Sequence, residues 1–230
     1  MKVETAVRDM ASLSKFLHFD MVCAVGGEPT LAPKLIDFLD AMRASGIADK
    51  VCVVTNGSRL DKLPESFFQK IDILRLSIYK RLGSEMLELA RSASEHYGFK
   101  LQAWPYPEFY QQFKAVPDDG VESFKRCPYK TDCYTLHEGH LYLCPQSAFF
   151  PKRFMGLEAN VDGFPLADAT DESLHAFLNR TEPLNACRIC LGGDKIGKPW
   201  KEAKSNQDWM TQSTHSRWIA NEEEIARMSE

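Results

Sequence analysis

Apolar residues recur along the first hundred positions in two alternating rhythms. Val3, Val7, Met10, Leu13 and Leu17 share one face of a helix over residues 3–17. Residues 21–25 are a short apolar run ending in Gly26-Gly27, which predicts a buried strand. Leu31, Leu35, Phe38, Leu39 and Met42 form a second helical stripe, and Gly46 sits where a helix terminates. The β-branched run 51–54 stops at Thr55-Asn56-Gly57, a strand followed by a turn. Pro64 opens a short helix to about Lys70, and residues 71–78 read as the next strand. Ser84 caps a helix through Met86, Leu89, Ala90 and Ala93 to Gly98. Residues 99–104 form another strand, closed by Pro105-Tyr106-Pro107. Helix and strand alternate four times, the pattern of a parallel sheet with crossover helices. A parallel α/β unit normally opens on a strand. This pattern opens on a helix, so a first strand is expected to be either missing or supplied elsewhere.

Beyond about residue 120 the pattern changes to cysteines, aromatics and turn residues. Residues 134–143 read as a hairpin around Glu138-Gly139, and 171–180 as a short helix. The last thirty residues are polar, with a weak helical stretch over 219–228 that carries Glu222, Glu223 and Glu224 on a solvated face. No internal repeat or low-complexity tract occurs. The expected organisation is an α/β domain over 1–118, a Cys-rich α+β domain over 119–200 and a polar tail over 201–230.

Composition narrows the class. The chain is 44% hydrophobic and 26% charged, close to the soluble globular average, which excludes a disordered, collagen-like or coiled-coil chain. Twenty-eight Lys and Arg against 32 Asp and Glu give a net charge of −4, with no electrostatic footprint for nucleic acid. No apolar run approaches the roughly 18–20 residues that cross a bilayer. The first residues carry charges where a signal peptide needs an apolar core. The expectation is a cytoplasmic protein with neither membrane nor nucleic acid as partner.

Seven cysteines add chemistry, and five of them, Cys127, Cys133, Cys144, Cys187 and Cys190, lie between 127 and 190. Without an export signal, such clustering favours metal ligands over disulfides. Cys187 and Cys190 form a Cys-x-x-Cys pair whose thiolates can converge on one centre. Cys127 and Cys144 complete a four-thiolate shell suited to zinc or to a [4Fe–4S] cluster, with Cys133 as a possible substitute. Cys23 and Cys52 sit in expected core strands and read as small buried hydrophobes. His137 and His140 read as exposed turn residues, and Phe67, Phe68, Phe149 and Phe150 as packing residues. Trp104, Tyr106 and Tyr110 follow a strand and read first as core packing, second as pocket lining.

A second group lies at strand ends: Gly26-Gly27-Glu28-Pro29, Thr55-Asn56-Gly57 and Ser77-Ile78-Tyr79. Parallel strands bring such ends to one face, where ligands bind. Glycines allow close backbone approach, Glu28 offers a carboxylate to an ammonium group, and Asn56 and Ser77 offer neutral hydrogen-bonding groups. Each motif alone is an ordinary turn. Three in register point to a site.

These residues resemble a family. Gly26-Gly27-Glu28-Pro29-Thr30-Leu31, Val53-Val54-Thr55-Asn56-Gly57 and Leu74-Arg75-Leu76-Ser77, in that order, look like the core of a radical S-adenosylmethionine (radical SAM) enzyme. Cys127-x11-Gly139-x4-Cys144, a gap, then Cys187-x2-Cys190 is similar to that family's SPASM or twitch extension, and the absence of a later cysteine group favours the one-cluster twitch form. The resemblance covers roughly residues 15–195. It implies an incomplete (β/α)6 barrel followed by a small twitch-like domain. It implies that Gly26, Gly27 and Glu28 hold the amino group of S-adenosylmethionine. Thr55, Asn56 and Ser77 would lie near its ribose or carboxylate. Cys127, Cys144, Cys187 and Cys190 would ligate an auxiliary [4Fe–4S] cluster. Family chemistry is reductive cleavage of S-adenosylmethionine to a 5′-deoxyadenosyl radical, which abstracts hydrogen from a small-molecule or peptide substrate. The electron would come from a flavodoxin or ferredoxin. The family's catalytic cluster is held by Cys-x3-Cys-x2-Cys, and no such motif occurs in this chain. The chain is therefore expected to be either a truncated enzyme or a natural cluster-less variant, inactive in isolation. The alternative is a non-catalytic binding protein with a degenerate barrel and a structural four-cysteine site holding zinc or Fe–S.

Overall fold

The alternating rhythm becomes a four-stranded parallel sheet. The computed structural model describes residues 1–79, 84–106, 108–114, 116–193 and 196–199. They belong to two compact units, Met1–Pro107 and a second starting at Glu108.

In the first unit the order is α1 (Val3–Leu13), β1 (Phe19–Ala24), α2 (Leu35–Ala44), β2 (Ala48–Thr55), α3 (Glu65–Gln69), β3 (Ile73–Ile78), α4 (Ser84–Tyr97) and β4 (Lys100–Pro105). The strands lie side by side as β1-β2-β3-β4, every pair parallel. Sequential parallel strands need right-handed crossovers, which place α2, α3 and α4 on one face. Val51, Val53, Leu74 and Leu76 are buried at 2% exposure or less, as a helix-covered face requires. This arrangement is compatible with part of an α/β barrel.

Three expectations need correction. The first helix ends at Leu13, and its buried face carries Asp9, not Val7, which is 47% exposed. Arg8 donates to the Asp9 carboxylate at 2.8 Å, which is how a charged group tolerates that face. Leu31 does not join α2. It belongs to a separate 3-10 turn, Pro29–Leu31, and is 58% exposed. Trp104 is 54% exposed and packs no core.

The second unit contains β5 (Glu108–Gln111), α5 (Val121–Arg126), β6 (Thr135–His137), β7 (His140–Tyr142), α6 (Pro145–Met155), β8 (Phe164–Pro165), α7 (Asp171–Leu178) and β9 (Ile196–Pro199). The hairpin forms where expected, pairing Thr135 with Tyr142 and His137 with His140. Glu138 (φ 44°) and Gly139 (φ 78°) both take the left-handed conformation that a tight two-residue turn demands. Strand β8 pairs with β7, and β9 with β5, both antiparallel. Phe124, Leu143, Leu184 and Cys187 form the buried core of this unit, flanked by Tyr134, Phe177 and Leu178. His137 packs edge-on to Phe149, whose ring is itself exposed, and Phe150 stacks on Phe113. Residues 201–230 lie outside the described residues, and with them the expected helix over 219–228.

Candidate functional sites

The first site is built at the ends of β1, β2 and β3. After β1 the chain turns through Gly26 (φ 100°) and Gly27 (φ 52°), both in the left-handed region, and a Cβ built on either meets nothing within 4 Å. Among the described residues no donor bonds the carbonyls of these two glycines. The turn delivers Glu28 to the end of β2. Glu28 Oε1 accepts from the Thr30 amide (3.1 Å), the Thr30 hydroxyl (2.7 Å) and the Thr55 hydroxyl (2.6 Å). Its Oε2 accepts from the Asn56 amide at 2.8 Å. A carboxylate offers about four acceptor positions. Four donors from this chain already meet this one. Three of them crowd Oε1 and one reaches Oε2, so Glu28 ties two strand ends together, and an ammonium ligand would meet the glycine carbonyls and the less occupied Oε2.

The neighbours are fixed in turn. Thr55 Oγ1 accepts from the Gly57 amide at 3.1 Å, and Asn56 Oδ1 from the Ser58 amide at 2.9 Å. These bonds lock the loop and leave the Asn56 side-chain N–H groups without a partner among the described residues. Ser77 hydrogen-bonds the Tyr79 phenol, and burial raises the Tyr79 pKa, with smaller electrostatic contributions from Tyr106 and Glu28. The Tyr79 and Tyr106 rings stack at 5.7 Å. Glu28, Thr55, Asn56 and Ser77 thus share one end of the sheet. The side chain of Tyr110 lies outside the described residues.

The second site lies within the second unit. Cys127, Cys144, Cys187 and Cys190 line one small cavity, partly open to solvent, together with Ser123, Gln146 and Gly192 among others. Cys127 follows α5, Cys144 caps α6, and Cys187 sits on a 3-10 turn, Asn185–Arg188, that leads to Cys190. All four are free thiols. Burial raises the Cys144 and Cys190 thiols and pushes Cys187 up to about 12, and mutual repulsion of the sulfurs adds to each. Cys133, which bonds through its amide to the Tyr129 carbonyl, is not among the residues lining this cavity.

Two positioning groups were not anticipated from sequence. Asp162, 3% exposed, accepts from the Asn185 amide (2.7 Å), the Asn185 side chain (2.9 Å) and the Ala186 amide (2.8 Å). It holds the first turn of the segment carrying Cys187. Lys114 Nζ donates to the Cys187 carbonyl at 3.1 Å. Neither stands in a motif, and the 23 positions from Asp162 to Asn185 hide the pairing. Glycines allow the close approach. A Cβ on Gly192 would lie 2.4 Å from the Ser123 carbonyl oxygen, and the Gly192 amide donates to Cys190 Sγ at 3.4 Å.

Among the described residues, no group of three or more His, Cys, Asp or Glu is arranged to hold a metal ion.

No protein-family model matches the chain, and no curated protein matches it. Solved structures do match. One is selenomethionine BtrN, a radical SAM enzyme, in an open conformation. It shares 13% identity over 80% of this chain and 67% of that one, with a TM-score of 0.43. No helix among the described residues is long and apolar enough to cross a membrane.

Proposed function

We propose that the chain is an iron–sulfur protein of the radical SAM type, with an S-adenosylmethionine site in its first unit and an auxiliary [4Fe–4S] site in its second, twitch-like unit. The observation that carries this reading is the convergence of Cys127, Cys144, Cys187 and Cys190 on one cavity. The four come from three separate elements and span 63 positions, yet line the same space. Thiols raised by burial give up their protons on metal binding, so loading is accompanied by proton release. The Gly192 amide donates toward Cys190 and favours negative charge on that sulfur.

At the first site the roles follow from what each group has left to offer. The Gly26 and Gly27 carbonyls accept from the amino group of S-adenosylmethionine. The Asn56 side-chain N–H groups donate to its carboxylate or ribose oxygens. Glu28 and Thr55 hold the two strand ends at the spacing this requires. When the full set of cofactors is present, the chemistry they supply is reductive cleavage of S-adenosylmethionine and hydrogen abstraction from substrate. A small-molecule or peptide substrate and a flavodoxin- or ferredoxin-type electron donor belong to the same proposal. The test is the metal content of the anaerobically reconstituted chain. Iron with matching sulfide, lost on Cys187→Ala/Cys190→Ala, supports the reading, and zinc without iron refutes it.

A further inference from the structure

The sheet of the first unit has a second face, and it is chemically unlike the first. Helices α2 to α4 occupy one side. Residues paired directly across neighbouring strands share a face, and alternate residues along a strand return to it. Cys23 pairs with Cys52, Cys52 with Ile73, Val54 with Arg75, and Arg75 with Gln102, so these six share the helix-free face. Two of them, Arg75 and Gln102, are polar.

Arg75 is half-buried in the middle of this face. Its Nε donates to Gln102 Oε1 at 2.8 Å, a neutral partner. No carboxylate lies within ion-pair distance of Arg75 among the described residues. Arg8, Arg43 and Arg91, in the same unit, each have one. A guanidinium carries five N–H donors, so four remain on Arg75, on the edge turned away from Gln102. A partly desolvated cation without an anion is an unfavourable arrangement unless something else supplies the charge. The planar fork of a guanidinium matches an oxyanion in two parallel hydrogen bonds. Gln102 holds one side of the fork and so fixes its direction. The nearby Cys23 and Cys52 are hydrogen-bonded thiols. The Cys52 S–H, and to a lesser extent the Arg75 charge, lower the Cys23 thiol.

We propose that Arg75, oriented by Gln102, anchors the carboxylate or phosphate group of a small-molecule substrate on the helix-free face of the parallel sheet. The proposal takes its meaning from the reading of this unit as the substrate-binding part of a radical SAM-type protein. Its test is independent of that reading, because oxyanion binding needs neither S-adenosylmethionine nor iron.

The full chain is titrated with inorganic phosphate or with malonate at constant ionic strength. Modification of each arginine by phenylglyoxal is followed by mass spectrometry. Saturable protection of Arg75, without equal protection of Arg43 and Arg91, is the expected result. Stronger protection by phosphate marks a phosphorylated substrate, and stronger protection by malonate a carboxylated one. In the charge-conserving variant Arg75→Lys, with an unchanged far-UV circular dichroism spectrum, the anion-induced rise in Tm reports an affinity about tenfold weaker. No protection by either anion, equal protection of all three arginines, or an unchanged affinity in Arg75→Lys overturns the proposal. Protection that emerges only after Cys23→Ser also overturns it, since the Cys23 thiolate is then the counter-ion of Arg75. A chain that binds oxyanions at Arg75 yet takes up zinc and no iron keeps this inference and loses the functional reading. The reverse pattern does the opposite.

Discussion

Glu28 shows how much one side chain can settle. Its carboxylate receives four hydrogen bonds from Thr30, Thr55 and Asn56, which lie on two different strand ends. In Glu28→Gln one acceptor oxygen becomes a donor facing an N–H or O–H group. The expected cost is about 1–3 kcal/mol. It should register as faster hydrogen exchange at the Thr30 and Asn56 amides, with the amides of α1 unchanged. Unchanged exchange at Asn56 would show that Glu28 does not tie the strands. Asp162 plays the matching part in the second unit. Asp162→Asn sets a side-chain NH2 against the Asn185 or Ala186 amide, with an expected loss of about 1–3 kcal/mol. Because that amide pair begins the turn bearing Cys187, iron per chain should fall below wild type under identical reconstitution. Full iron loading in this variant would reduce Asp162 to a stability role.

Among the elements, legibility followed periodicity. Strands β1 to β4 were visible because apolar runs end in Gly-Gly, Thr-Asn-Gly or Pro, and the helices between them carry regular stripes. The hairpin was visible because Glu138-Gly139 suits its turn. Helices α5 and α6 were not anticipated. The first has six residues, too few to display a period, and starts at Gly120, whose absent Cβ lets it pack on the Cys187–Arg188 backbone. The second begins at Pro145 and contains Pro151, which reads as a loop although proline is well suited to a first helical turn. Strands β5 and β9 pair across more than 80 positions, a separation that no local pattern encodes. Four cysteines were legible from their spacing. Their shared cavity depends on α5, α6 and a glycine contact, none of which spacing reveals. Gly192 tests that contact. Its missing Cβ leaves room for the Ser123 backbone, and its φ of 63° disfavours any other residue. Gly192→Ala should cost about 2 kcal/mol or more and lower both the midpoint of urea unfolding and the iron bound. An alanine variant as stable as wild type would contradict the close packing of α5 against the Cys190 loop.

For the whole molecule, the proposed function assigns different parts of one chemistry to the two units. In that proposal the free acceptors and donors of the strand-end site receive S-adenosylmethionine, and the four thiols of the second unit bind the auxiliary cluster. The chain has no Cys-x3-Cys-x2-Cys to bind the iron that donates the electron for cleavage. The purified 230-residue chain, reconstituted and supplied with dithionite and S-adenosylmethionine, should therefore yield no 5′-deoxyadenosine above a control without protein. Robust production would mean that the auxiliary cysteines or Cys23 and Cys52 serve a catalytic cluster after all. The central claim is that the four cysteines of the second unit hold an iron–sulfur cluster. Its most direct test is to count iron, sulfide and zinc per chain after anaerobic reconstitution, beside the Cys187→Ala/Cys190→Ala variant. The account predicts about four irons with matching sulfide and a visible charge-transfer band, all lost in the variant. About one zinc and no iron would contradict it and make the cysteine unit a structural clip.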